Sequence, residues 1–590
     1  MLILKSLNFT DVKHLGVLNP YFIKYKWHFL GGLLFVSLSV LLGTYQGVVI
    51  RDASNKIMSI IEGKAPRDDA FFVRHGLKLI GLALASGFFM FMMRQTIIVM
   101  SRHIEYDQKN EIYAHYQMLD AGFYKTNTTG DLMNRISEDV GRVRMYTGPA
   151  IMYVTNTIVA TITILAFMLS VNVKLSLLVF LPLPLLSFII YRVSERIGKQ
   201  STKVQEELSN LTSQAQESFS AIRVIKAYAR EPFFTAQMAS RGEAYKKTAL
   251  KLATTEAFFL PVMGLMVGLS VLITVWVGGN MAIEGNVEAG NIPEFIWYVF
   301  RLTWPFASLG WVTSLIQRAS ASQQRINEFM STRPAVSNTN QKNYEINGDL
   351  EFRNVSFTYP ENGITALKNI SFKLRKGQRL GITGKVGSGK SSLVTLLTRQ
   401  YDVSEGSVLL DAINIKEHNL SLLRRNMGVV PQEVFLFSDT IANNIAFGGK
   451  VKNVPSAEIE AAAKQAGVYG NIMRFADQFG TMVGERGVTL SGGQKQRVSI
   501  ARAILSKPNV LVFDDCLSAV DSETEELILR NLEREMEGRT SIIISHRISS
   551  IRNADVILYL KDGEIAETGT HDELIKLGGH YYELDKLQAG

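Results

Sequence analysis

The hydrophobic pattern of this 590-residue chain changes character near residue 320. Before that point the apolar runs cover whole helix circumferences, where a soluble helical core would show one stripe. A helix of about 20 mostly apolar residues crosses a bilayer. Six runs approach that length, at 27–49, 77–100, 151–171, 175–191, 258–283 and 292–315, with a short "VNVK" turn between the third and fourth. The pattern predicts an N-terminal segment over 1–20 and an all-α polytopic membrane domain over 21–328. The stretches 101–145 and 192–251 are long, charged and free of proline until Pro232, which predicts helices continuing well beyond the bilayer. Within them, 129–143 and 217–231 are each expected to form a short helix at a hairpin tip, available to dock on another domain. Past residue 350, strand-like runs alternate with helical ones, as in an α/β domain. The polar, turn-rich stretch between is a linker over 329–347, leaving 348–590 as the soluble domain.

Charge gives the membrane part an orientation. Both long polar stretches are rich in Lys and Arg, whereas the loop around 284–294 is acidic. The positive-inside rule then places the N-terminus, both stretches and the soluble domain in the cytoplasm of a multi-pass cell-membrane protein. The net charge of +9 fits basic cytoplasmic faces. No basic cluster with interleaved aromatics points to nucleic acid. The single cysteine, Cys516, excludes an intrachain disulfide and reads as a small buried apolar residue. No signal peptide is expected, since no small-residue cleavage site follows a short apolar core. Arg94, Asn156, Glu256 and Arg301 lie in or near the spans. A charge at bilayer depth tends to face a cavity or a partner. Arg94 and Arg301 are therefore candidates to line a substrate cavity and attract an anionic head group; the alternative for Arg94 is snorkelling or a structural ion pair.

The soluble half carries the chemistry. An apolar run leads into G-x-x-x-x-G-K-S, formed by Gly384, Lys385, Val386, Gly387, Ser388, Gly389, Lys390 and Ser391, and Ser392 continues into a helical pattern. Its glycines let backbone N–H groups turn inward as a nest for phosphates, at a helix N-terminus. Lys390 is expected on the β/γ-phosphates and the Ser391 hydroxyl on Mg²⁺. "VLVF" reads as a buried strand delivering Asp514 to the metal, and Asp515 falls where a base or water-positioning group is expected. This much describes a P-loop NTPase: a helicase, a GTPase or a transporter motor. A second helix opens on Ser491, Gly492, Gly493 and Gln494, another nest without a lysine of its own. The economical arrangement is a head-to-tail dimer with ATP between one chain's phosphate loop and the other's "SGGQ".

With these motifs the chain resembles ATP-binding cassette (ABC) exporters of the half-transporter class, multidrug or lipid-flippase type, over nearly its whole length. The resemblance implies a multidomain protein with six transmembrane helices extending into the cytoplasm, fused to an α/β P-loop NTPase. It implies ATP and Mg²⁺ as ligands, and a homodimer or a heterodimer with a second half-transporter. Tyr359 matches the aromatic that stacks on adenine, and Gln432 the residue that contacts Mg²⁺ and the attacking water. His546 matches the switch histidine on the γ-phosphate. Ser518 and Asp521 lie in the turn that joins the two sites across the dimer, and "GERG" at 484–487 resembles the loop that senses the cytoplasmic helices. Gly130 and Asp131 fall in the first coupling segment, Arg223 and Lys226 in the second.

One position departs from the family pattern: Asp515 stands where Glu is usual. The shorter arm costs reach, and a general base out of reach loses on the order of 10²–10⁴ in rate. The expected activity is ATP-driven export or flipping of an amphipathic, drug- or lipid-like substrate, with a slowed site. The competing reading is an ATP-gated channel or regulatory subunit that uses binding more than hydrolysis. A soluble nucleic-acid motor is opposed by the spans.

Overall fold

The computed structural model describes residues 13–338, 342–451, 453–484, 490–516 and 522–589. The chain divides into two units: one holds 13–116 and 130–332, the other 117–129 and 333–589. The soluble unit therefore borrows thirteen residues from within the membrane-side sequence, which a contiguous block over 21–328 had not anticipated.

Among the described residues of the first unit, five helical stretches are long and apolar enough to cross a membrane: Lys26–Ile61, Asp69–Met118, Thr129–Val171, Val173–Ser220 and Glu231–Ile283. The sixth predicted span lies in the 41-residue helix Asn291–Ser331, which has the length without the apolarity. Glu294, Arg301, three tryptophans and several hydroxyl residues dilute its hydrophobic run. Its first half is nonetheless packed, with Phe295, Tyr298, Val299 and Leu302 buried against Val36, Val40 and Ile164 of other helices. The one carboxylate of this half, Glu294, is buried and accepts hydrogen bonds from Asn291 and Tyr298, both at 2.8 Å.

Two local expectations change. The fourth span is not one straight helix but Val173–Phe180 followed by Pro182–Ser220, because Pro182 has no N–H to continue the ladder. Asn172 caps the first piece, its side chain accepting from the Leu175 amide at 3.0 Å. The stretch 129–143 is not a separate tip helix; it opens the long helical stretch Thr129–Val171 through a π turn at Arg135–Asp139. The short tip helix is Ala121–Thr126, capped by Asp120, whose carboxylate accepts from the Phe123 amide at 3.1 Å. In the second long stretch the tip helix is Ile222–Ala227, inside the predicted window. The linker also begins later than position 329, since Asn291–Ser331 is continuous helix.

The second unit carries two sheets. An antiparallel one has the order β2-β1-β4-β5, from β1 (Leu350–Thr358), β2 (Thr365–Leu374), β4 (Glu405–Leu410) and β5 (Ile413–Asn414). The other has the order β10-β9-β3-β8-β7-β6. Its members are β3 (Arg379–Gly384), β6 (Met427–Val430), β7 (Val510–Asp514), β8 (Thr540–Ile544), β9 (Val556–Lys561) and β10 (Glu564–Gly569). Strands β9, β3, β8, β7 and β6 are parallel; β10 folds back on β9. All residues of β7 and β8 are buried, the signature of a strand covered on both faces.

Candidate nucleotide site

Strand register brings the motifs to one edge. Ile382 of β3 and Asp514 of β7 both pair with Ile544 of β8, and Val430 of β6 pairs with Phe513. Gly384, His546, Asp515 and Gln432 therefore all lie within one or two residues of the carboxyl ends of four adjacent parallel strands. In open α/β sheets this edge, outside the strand ends, is where ligands bind.

The loop after β3 is built on left-handed glycines. Gly384, Gly387 and Gly389 have φ of 145°, 80° and 96°. A Cβ on Gly384 would stand 2.2 Å from the Leu560 carbonyl, and one on Gly389 2.4 Å from that of Ala366. Lys385, Val386 and Gly387 are exposed at the loop's crest, and the helix Lys390–Leu397 begins directly after Gly389. Lys390 is buried and folds back, its ammonium donating to the carbonyls of Gly384 and Lys385 at 2.9 and 2.8 Å. Burial lowers its pKa, against the raising influence of Asp515 and Asp514. The Ser388 hydroxyl is buried and has no hydrogen-bond partner among the described residues.

Asp514 is buried at the end of β7, and its carboxyl is raised above the ordinary range by desolvation. A hydrogen bond from Ser391 and the charges of Lys390 and His546 oppose that shift, while Asp515 adds to it. Asp515 departs from the strand: its φ is +47°, and its amide donates to the Ile544 carbonyl at 2.9 Å. Asp tolerates this left-handed region better than most side chains. Gln432 is exposed just beyond β6, and the His546 carbonyl accepts from Gln588 at 2.6 Å.

Tyr359 stands in an aromatic cluster. Its ring meets Phe357 at 4.7 Å and Tyr401 at 5.5 Å, and its hydroxyl lies 3.0 Å from that of buried Ser392. Sequence reasoning missed its neighbour Lys125, on the helix Ala121–Thr126, whose ammonium sits 4.3 Å above the Tyr359 ring and 5.1 Å from Tyr401. Gly122 of the same helix packs against Glu361 and Tyr401, where a Cβ would stand 2.8 Å from the glutamate oxygen. No local sequence signal marks a lysine more than 200 residues upstream as a ring partner.

Ser491 caps the helix Gly492–Leu505 in a reciprocal box with Gln494: the Gln494 backbone amide donates to the Ser491 hydroxyl at 3.3 Å, and the Ser491 backbone amide donates to the Gln494 side-chain oxygen Oε1 at 2.9 Å. Ser491 and Gly492 are exposed, so this N-terminus faces outward. Gly484 has φ of 100°; the rest of "GERG", together with Ser518 and Asp521, lies outside the described residues. Gly130 and Asp131 are exposed and belong to the membrane-side unit, unlike the adjoining Gln117–Thr129. Arg223 is exposed, and Lys226 pairs with Glu231 at 3.0 Å. Arg94 is exposed on a π turn, Arg94–Ile98. Arg301 is half-buried, with an Nε that finds no hydrogen bond among the described residues and a guanidinium resting where a Cβ on Gly43 would be. The two arginines thus sit in different surroundings.

Comparison with known proteins gives the family. The family model described as ABC transporter transmembrane region matches residues 30–306, and the one described as ABC transporter matches 367–518. The multidrug resistance-like ATP-binding protein MdlA of Escherichia coli is 36% identical over 83% of this chain and 82% of its own length. The ATP-dependent lipid A-core flippase of Photobacterium profundum is 34% identical, over 87% of each chain. A solved bacterial Atm1-family ABC exporter with ATP bound superposes with a TM-score of 0.79 at 27% identity, covering 95% of this chain and 99% of that one. With both halves matched in one polypeptide, the chain belongs to the ABC transporter family, an exporter-type membrane region fused to its ATP-binding cassette.

Proposed function

We propose that the protein is an ATP-driven exporter or flippase for an amphipathic, drug- or lipid-like molecule, working as a dimer in the cell membrane with its cassette in the cytoplasm. The observation that carries this reading is the register-fixed cluster of phosphate loop, Asp514, Asp515, Gln432 and His546, on a chain with five membrane-length apolar helices. The helix Asn291–Ser331 serves as the sixth crossing in this reading. Relatives named for multidrug resistance and for lipid A flipping support the substrate class.

The glycine loop wraps the phosphates of ATP, and Lys390 exchanges its two loop carbonyls for phosphate oxygens. Tyr359 stacks on adenine. The donor set suits Mg²⁺, which takes one or two carboxylates plus hydroxyl and phosphate oxygens rather than an all-protein cage. Ser391, Asp514 and Gln432 would hold it, and it would supply charge neutralisation at the phosphates. Asp515 orients or deprotonates the attacking water, and His546 holds the γ-phosphate. The outward-facing Ser491 cap offers its helix N-terminus to the nucleotide of a second copy. Arg301, without a hydrogen bond at Nε, is the better of the two arginines for an anionic substrate group.

The second reading, an ATP-gated channel or regulatory subunit, draws its support from the short arm of Asp515. Reconstituted vesicles separate the two. Vanadate-sensitive ATPase activity stimulated by an amphipathic substrate, with uphill accumulation of that substrate, is the expected result. ATP-dependent conductance without accumulation would replace the exporter reading with the channel.

A further inference from the structure

The fourth apolar run gives way to charge at Arg192, and the fifth begins at Phe258. At that level the helices Pro182–Ser220 and Glu231–Ala257 leave a cavity of about 600 Å³ between them. Arg196, Lys199 and Lys203 enter from the first helix, spaced three and four residues apart on one face, and Lys251 enters from the second. No carboxylate is among the described residues lining the cavity. Lys199 pairs with Glu195 on its own helix at 2.7 Å; the other three cations have no ion pair among the described residues. The Oε1 atom of Gln200, also in the lining, is buried and has no hydrogen-bond partner among the described residues.

Four cations around one space, with Glu195 drawing on Lys199 and Arg196, still repel one another, and an anion with several oxygens relieves this at once. The membrane-ward side is apolar. Phe258 lines the cavity, and the exposed Leu185 and Phe188 stand about three helical turns before Arg196 and Lys199, on the same face of the first helix. A soluble anion has no use for that surface, whereas acyl chains do.

We propose that this cavity binds the phosphate-bearing headgroup of an anionic bilayer lipid, with its chains lying along Leu185 and Phe188. The site is separate from the nucleotide cluster and from Arg301, and it requires no transport of the lipid it holds. Basic pockets between membrane helices near the headgroup level are suited to such lipids.

Equilibrium binding to the purified full-length protein in detergent tests this, with fluorescent phosphatidylglycerol, phosphatidylcholine of the same chains, and inorganic phosphate as competitor. The wild type is expected to prefer phosphatidylglycerol by at least about tenfold. The triple variant Arg196→Ala/Lys203→Ala/Lys251→Ala should lose that preference, and Arg196→Lys/Lys203→Arg/Lys251→Arg should keep it. If the triple variant does not fold, Lys251→Gln alone should weaken phosphatidylglycerol by about threefold and leave phosphatidylcholine unchanged. An absent preference in the wild type, or one unchanged in the alanine or glutamine variant, would overturn the proposal. So would inorganic phosphate competing as strongly as the lipid, which would assign the cations to a soluble anion.

Discussion

At Asp515 the backbone and the side chain both depart from expectation. A left-handed φ re-aims the residue as it leaves β7, and its side chain is one methylene shorter than a glutamate would be at that position. If reach limits hydrolysis, Asp515→Glu should raise ATP turnover by about tenfold or more, measured as phosphate release from vesicles. Unchanged turnover would mean that the turned backbone already delivers the shorter arm. Asp515→Asn should keep ATP binding while hydrolysis falls by about 10²–10⁴. Lys125 gives a second residue-scale test. Its ammonium lies over the ring proposed to stack on adenine, and such a contact is worth about 0.5–1 kcal/mol at an exposed site. Removing it in Lys125→Ala should tighten nucleotide binding about two- to fivefold, read by titration with a fluorescent ATP analogue. Weaker binding would show instead that the lysine assists the nucleotide.

Among the elements, the phosphate loop depends on positions that only glycine can fill. Gly389→Ala combines a φ of 96° with an approach of 2.4 Å to a backbone oxygen. It should cost at least about 1–3 kcal/mol of stability and abolish ATP binding, as a lowered melting temperature and a flat titration. The Ser491 cap is a different kind of element. Ser491→Ala removes one side of the reciprocal box and should cost about 1 kcal/mol locally. ATP binding at the same chain's phosphate loop should persist while hydrolysis falls, as expected if that helix end serves another chain's nucleotide. The break at Pro182 is legible as a residue but not as a consequence, since proline within an apolar run is often tolerated in membrane helices.

For the whole molecule, the decisive test is shared sites. Lys390→Ala lacks a working phosphate loop, and a Ser491→Arg variant blocks the outward-facing cap; each alone should be nearly inactive. In mixed homodimers one composite site keeps both intact parts, so co-expression should restore a substantial fraction of wild-type turnover. Continued inactivity on mixing would point to a chain that completes its site with a different partner. The borrowed segment Gln117–Thr129 adds a second whole-molecule feature: a piece of the membrane-side sequence packs within the soluble unit, on the aromatic cluster around Tyr359.

By itself the sequence determined the two-part organisation, because span length and strand–helix alternation follow from short-range hydrophobic periodicity. It also marked the glycines of the phosphate loop and the paired carboxylates of "VFDD", whose chemistry is written in adjacent residues. Tertiary structure decided what depends on distant residues meeting. The strand order β3-β8-β7-β6 puts four separate motifs on one sheet edge. Packing keeps the weakly apolar helix Asn291–Ser331 among the other helices by pairing Glu294. Folding of the chain sets Lys125 over Tyr359 and brings Lys251 to the cavity that Arg196, Lys199 and Lys203 line, contacts that no local pattern encodes because each joins side chains far apart along the sequence.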